Sequence, residues 1–370
     1  MKKILFPLID TNKGGNLLSA ISIFDKIDQK KFKAYFLLIS TRGIENKIFE
    51  LIKEKNNKNK KIYFININHN FESFFFNFFL IFKLFIFIYF NKFDLVHTND
   101  GFLNSKFSIL KIFFNFKLVI HLRNTDNSRR NYINFYLADK IICISRFVKK
   151  IIPNKFKFKT LILYNYVELF NENIKIKKIH SLLIKKNKNE KIIFYVSNLH
   201  ERKRSITFLK ILKHLNKNKN FIGFMFFQSN QNQYKKLRQT INENKLNNKI
   251  FLFNNFKTHY WIAVANEFKK KLLLSTSINE PLGRNLIEAI LNKILVVANN
   301  SGGHREILNK KNGTLINTEN IIYASQVIER LFHEKKSKME KMLLIKEIQK
   351  KFQNKEYFIK INKIYLSTIK

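Results

Sequence analysis

Short, unbroken apolar runs recur along this chain, and longer amphipathic stretches separate them. In the first half the runs are 3–8 (KILFPL), 34–40 (AYFLLIS), 61–66 (KIYFIN), 93–97 (FDLVH), 117–121 (KLVIH), 140–144 (KIICI) and 160–164 (TLILY). They are continuous rather than cleanly alternating. A strand of that kind belongs in a parallel sheet covered on both faces, because neither face meets water. The stretches between them, such as 16–27, 103–114 and 129–138, have helical composition. The pattern predicts a βαβ series, and hence an open, doubly wound α/β sheet.

Residues 168–190 break the rhythm with a polar, lysine-rich segment. A second series then begins, with strands expected at 191–197, 221–227, 249–253, 271–275 and 294–298 and helices at 204–216 and 231–244. From about 319 onward the chain reads as lysine-rich helix. The expected organisation is an N-terminal Rossmann-like domain over 1–168, a linker over 169–190 and a second such domain over 191–335. C-terminal helices over 336–370 could return to the first domain. Open parallel sheets bind ligands at the carboxyl ends of their strands. Two of them facing each other would place the natural site in the cleft between.

Composition removes several alternatives. Hydrophobic residues are 45% of the 370, and Gly and Pro number only nine and three, which argues against a disordered or fibrous chain. One cysteine, Cys143, excludes an internal disulfide framework and fits a reducing compartment. The start, MKKILFPLIDTNKGG, reads as a first strand rather than a secretion signal. The formal net charge is +43. The lysines are spread along the whole chain, as expected of a very AT-rich genome, yet the resulting field still attracts anionic surfaces. No nucleic-acid module stands out, so no specific nucleic acid is expected.

The segment SFFFNFFLIFKLFIFIYF (73–90) approaches the length of a membrane span. Lys83 interrupts it, and a span there would separate two strands expected in one sheet. An interfacial helix with its phenylalanines in lipid and a helix packed inside the domain both fit the sequence.

The stretch NEPLGRNLIEA (279–289) follows the strand KLLLS and opens a helix. Gly283 lies where the backbone must turn tightly or approach a ligand. Free N–H groups over 283–286 and the positive helix end make an anion site, with Arg284 as a further donor. Glu288, one turn in and on the face of Arg284, can accept hydrogen bonds from the cis-diol of a ribose. Glu280, in the loop, can hold a sugar hydroxyl. An anion cradle beside two diol-reading carboxylates suits a nucleotide sugar.

Two acids with seven residues between them after an apolar strand, followed by ILVVANNSGGHREIL, resemble the retaining GT-B glycosyltransferases of the GT4 type (glycosyl transferases group 1). The matching residues are Glu280, Gly283, Glu288 and Ala289, then Gly302, Gly303 and Glu306. YVSNLHERKRS (195–205) resembles the start of that family's second domain, with Lys203 on its phosphate-binding lysine. ADKIICISRFVKK (138–150), LYNYVELF (163–170), the pair Gly14–Gly15 and DLVHTND (94–100) match in order along the rest.

The resemblance implies a GT-B fold and a set of roles. Glu288 would bind the donor ribose, and Glu280 would face and position the donor sugar. Lys203, Arg284 and the helix start (Gly283, Asn285, Leu286) would neutralise the diphosphate. Gly14 and Gly15 would let the first loop approach the phosphate or the acceptor. His121, ending a strand, would contact the sugar near the reacting centre. His304 and Arg305 could contact the donor or simply cap a helix. Where the family has arginine in its second-domain loop this chain has Asn198, also placed in the donor site, and Arg202 or Arg204 could replace the missing guanidinium. No metal or other cofactor is implied. The implied function is transfer of a sugar, with retention, from a UDP- or GDP-sugar to a growing, lipid-linked cell-surface glycan. The enzyme would be cytoplasmic and peripheral at the inner face of an anionic membrane. A non-catalytic GT-B chain or a basic protein that binds anions or nucleic acid is the alternative.

Overall fold

The computed structural model describes residues 1–9, 15–40, 55–67, 69, 73–99, 101–125, 129–167, 174–217, 220–255, 259–309, 313–334, 338–353 and 355–370. The chain separates into two units, one of residues 1–166 with 354–370 and one of 167–353. Gly14 lies outside the described residues.

The first unit is a seven-stranded parallel sheet. Its strands are β1 (Lys2–Ile9), β2 (Phe32–Ser40), β3 (Lys60–Asn66), β4 (Leu95–Thr98), β5 (Lys117–Leu122), β6 (Lys140–Cys143) and β7 (Thr160–Ile162), in the order β3-β2-β1-β4-β5-β6-β7. The central strands are buried along nearly their whole length, which is why they are continuously apolar. The winding reverses between β1 and β4. The last helix, Glu356–Ile369, belongs to this unit and places Tyr357, Phe358, Ile361 and Tyr365 in a core with Phe6, Phe24 and Phe32. The Tyr365 ring meets Phe32 edge-on at 5.8 Å.

The second unit has a six-stranded parallel sheet of β8 (Lys191–Val196), β9 (Phe221–Phe227), β10 (Ile250–Asn254), β11 (Lys271–Ser275), β12 (Leu295–Asn299) and β13 (Thr314–Ile316), in the order β10-β9-β8-β11-β12-β13. Here the winding reverses between β8 and β11, which pair Leu273 with Phe194. The α/β class and the two doubly wound parallel sheets are those expected.

Three details differ. The stretch expected as a linker contains a helix, Lys178–Lys186, because Ile184 is buried and His180 Nδ1 bonds the Tyr260 hydroxyl at 2.7 Å. The C-terminal helices do not travel together: Lys338–Phe352 stays with the second unit, where Val167 N–H donates to the Phe352 carbonyl at 2.8 Å. Strand β13 is only three residues long, too short to register as an apolar run.

Candidate active site

The loop after β8 and the loop after β11 leave adjacent strands at the point where the sheet changes winding direction. That is where a doubly wound sheet opens a crevice for ligands. It also explains why Lys203 and Glu280, 77 residues apart, meet: Lys203 Nζ lies 2.6 Å from Glu280 Oε2, with both side chains about one-seventh exposed. The two loops are laced together. Thr276 Oγ1 donates to the carbonyls of Lys203 and Arg204, both at 2.9 Å, and Ile278 N–H donates to the Arg202 carbonyl at 2.9 Å. Burial would raise the Glu280 carboxyl pKa. The Lys203 charge and hydrogen bond outweigh it and hold it below the ordinary 4.5, with smaller contributions from His304 and Arg202.

Helix Arg284–Leu291 starts at Gly283, whose φ of +100° only glycine adopts readily. A Cβ there would also sit 2.9 Å from His304 Cδ2. Arg284 Nε donates to Glu288 Oε1 at 2.8 Å, and the Glu288 side chain is only 7% exposed. Asn285 Nδ2 donates to the Val196 carbonyl at 2.9 Å, so this side chain latches the helix start to the end of β8. Leu286 corrects the expected cradle. Its side chain is buried, and its N–H is already taken by the Gly283 carbonyl and Asn285 Oδ1, each at 3.0 Å. An anion at this helix start would be left the N–H groups of Gly283, Arg284 and Asn285.

The glycine pair seats the Glu280 loop. Gly303 N–H donates to the Glu280 carbonyl at 2.7 Å, and a Cβ on Gly302, with its φ of +60°, would lie 2.5 Å from that same oxygen. His304 is buried beneath. Its Nδ1–H donates to the Asn299 carbonyl at 3.0 Å, which leaves Nε2 as an acceptor facing Ser275 Oγ at 3.5 Å. Burial, chiefly, lowers its pKa. His304 is thus a support under Gly283, and Arg305 is turned to Asn300.

Asn198 is exposed, and its carbonyl accepts from the Tyr195 hydroxyl. Of the two arginines that could supply the missing guanidinium, Arg204 is paired with Glu319. Arg202 is partly buried beside Glu280, and its Nε has no partner among the described residues. Arg202 is therefore the better placed.

Gly15 and His121 sit in the first unit. Gly15 opens the helix Gly15–Asp25 after β1. His121, near the end of β5, is buried and stacks on His97 of β4 at 5.3 Å between ring centroids. Sequence reasoning missed what surrounds it. Arg123 Nη2 lies 3.2 Å from His121 Nδ1, and Arg123 is anchored on Asn99 Oδ1 (2.7 and 3.0 Å) and Asn165 Oδ1 (2.7 Å). These residues follow β4, β5 and β7, so each was visible only as the end of an apolar run. A guanidinium can only donate, which makes His121 Nδ1 the acceptor and puts its proton on Nε2. His97 Nε2 then donates to the same nitrogen at 3.3 Å, and His97 Nδ1 accepts from Tyr365 of the last helix. His121 Nε2–H is left as a buried donor with no partner among the described residues. His97 and His121 lie close despite their separation in sequence. Among the described residues no group of three or more His, Cys, Asp or Glu side chains gathers as a metal site would.

The family model described as Glycosyl transferases group 1 matches residues 179–350. Among solved structures, a glycosyltransferase from Rickettsia africae has a TM-score of 0.78 at 21% identity, covering 100% of this chain and 99% of that one. Anabaena HepE, solved in complex with UDP and glucose, has a TM-score of 0.75 at 18% identity, again over 100% and 99%. The lipopolysaccharide outer core galactosyltransferase WaaB has a TM-score of 0.71 at 15% identity, over 99% of each chain. A search of curated proteins finds no match. Fold and matched domain together define a glycosyltransferase with the GT-B architecture. In particular, residues 179–350 form a Glycosyl transferases group 1 domain, and every residue of the Lys203–Glu280 and Arg284–Glu288 pairs lies inside it.

Proposed function

We propose that the protein moves a sugar, with retention of configuration, from a UDP- or GDP-sugar to a growing, lipid-linked cell-surface glycan. The observation that carries this reading is the gathering of two carboxylates, two paired cations and one helix N-terminus at the β8/β11 crevice. Lys203, Arg284, Arg202 and the N–H groups of 283–285 would take the diphosphate. Glu288 would accept from the ribose hydroxyls, and Glu280 would hold a hydroxyl of the donor sugar. As the bond to the anomeric carbon breaks, the diphosphate leaves as a polyanion, and preorganised donors lower that barrier. Glu280 is bound by Lys203 and serves to position the sugar rather than attack it. The cationic donors meet the departing charge, so we expect no metal requirement. The UDP and glucose bound to HepE and the lipopolysaccharide acceptor class named for WaaB support the donor and acceptor parts of the proposal.

The test is to incubate the protein with a panel of UDP- and GDP-hexoses and a bacterial lipid extract. Nucleoside diphosphate release is followed by phosphorus NMR, and the anomeric configuration of the product by proton coupling. Release from one donor class, with the donor's configuration kept in a lipid product and lost in Glu280→Ala, supports the reading. Indifference to every donor favours the non-catalytic alternative, for which the exposed Asn198 at the usual arginine position is the specific observation.

A further inference from the structure

The helix Phe74–Asn91 buries a single row, Phe76, Leu80, Leu84 and Ile88, each one turn from the next. A surface helix with so narrow a buried stripe normally carries polar residues elsewhere. This one does not. Phe75, Phe82 and Tyr89, spaced by two turns, run down the opposite face and are 60%, 56% and 59% exposed. Phe74, Phe78, Ile86 and Phe90 flank them, also exposed. Lys83 lies at the margin, with its ammonium donating to the Asn66 carbonyl at 2.7 Å. The apolar face continues onto the next helix, Gly101–Phe113, where Phe85 touches Phe113 and the exposed Ile112 lies alongside.

We propose that this face seats the first unit in the interfacial layer of an anionic lipid bilayer. Charge selects the occupant. Residues 74–117 carry five lysines (Lys83, Lys92, Lys106, Lys111, Lys117) against Asp94 and Asp100; Lys111 and Lys117 pair with Asp139, and Asp94 pairs with Lys2. A second copy of the chain would also carry a net charge of +43, which opposes self-association, whereas anionic headgroups are complementary. The aromatic rings supply what charge cannot: an amphipathic helix lying in the interface buries its apolar face to a depth of roughly 5–10 Å. The helix has the length and composition of a span. It joins β3 to β4, however, and both are strands of one parallel sheet, so it lies on the bilayer and does not cross it. This surface does not depend on the transferase reading, and its test involves no turnover.

The full-length protein is floated with vesicles of phosphatidylcholine alone and of phosphatidylcholine with phosphatidylglycerol. The wild type should bind the anionic vesicles and retain part of that binding in high salt. The double variant Phe75→Ser/Phe82→Ser should bind at least roughly tenfold more weakly, since each lost ring forfeits apolar area that the interface would bury. A Phe82→Trp variant should be quenched by lipids brominated along the acyl chain, while the native Trp261, buried in the second unit, gives the unquenched background. This variant decides the matter even if the double variant folds poorly. Equal flotation of the double variant, or no quenching at position 82, overturns the proposal. So does a wild type that ignores vesicles but dimerises through this face.

Discussion

Lys203 and Glu280 form an ion pair at 2.6 Å between the loops after two adjacent strands, and neither is more than about one-seventh exposed. Each neutralises the other. Lys203→Met should therefore do two things. It removes a cation from the proposed diphosphate site, which should lower turnover by about a hundredfold. It also leaves a sheltered carboxylate unpaired, at a cost of about 1–3 kcal/mol. Kinetics and chemical denaturation of the same variant check both.

The same pair gives a pH dependence whose sign follows from the lowered Glu280 pKa. The folded state holds this carboxyl below the ordinary 4.5, so the unfolded chain binds the proton first. Its contribution to stability is complete above the ordinary carboxylate range and is lost as pH falls below it. Lys203→Met should flatten that part of the stability profile.

Gly302→Ala places a methyl 2.5 Å from the Glu280 carbonyl oxygen, at a φ of +60°. The neighbour is backbone and cannot turn aside. The expected outcome is a loss of about 2–3 kcal/mol together with loss of activity, because the displaced loop carries Glu280. Thermal unfolding and turnover should fall together. By contrast, Arg305→Ala alters only contacts to the exposed Asn300 and should leave both near wild type.

In the first unit, burial chiefly, and Arg123 next, push the pKa of His97 down to about 3 and hold His121 well below the ordinary 6.5. Both rings should stay neutral from pH 5 to 8, with His121 as the Nε2–H tautomer in nitrogen-detected NMR. The unfolded chain protonates first here too, so stability is full above about 6.5 and falls as pH drops toward 3. A His121 resonance that titrates near 6.5 would contradict its burial beside Arg123.

Cys143, at the end of β6, is fully buried, and burial pushes its thiol up to about 12. It should resist thiol reagents in the native protein and react only as the first unit opens. Labelling followed through a denaturant series then reads the stability of that unit alone.

Most of the sheet framework was legible in the sequence because central parallel strands must be apolar on both faces. The elements missed gave little apolar signal: strand β13 has three residues, and the 178–186 helix is nearly all polar or exposed. On the site, the helix start at Gly283 and the Arg284–Glu288 pair follow from local spacing, one turn apart. The Lys203–Glu280 pair does not, since it depends on β8 and β11 being neighbours in the sheet. The Arg123 cluster was illegible for the same reason: Asn99, Arg123 and Asn165 converge only because three strand ends do. The occupied N–H of Leu286 depends on the rotamer of one asparagine, which no motif records.

In the proposed function the helix carrying Arg284 and Glu288 reads a nucleotide. Calorimetry with UDP, GDP and ADP at moderate salt, on the wild type and Glu288→Ala, tests it most directly. Selective binding of one uridine or guanosine diphosphate is expected, weakened about ten- to a hundredfold by the substitution, in keeping with the loss of a charged hydrogen-bond acceptor. Equal, salt-sensitive binding of all three, unchanged in Glu288→Ala, would mean that only the field of a +43 protein is being measured, and would contradict the assignment of the site.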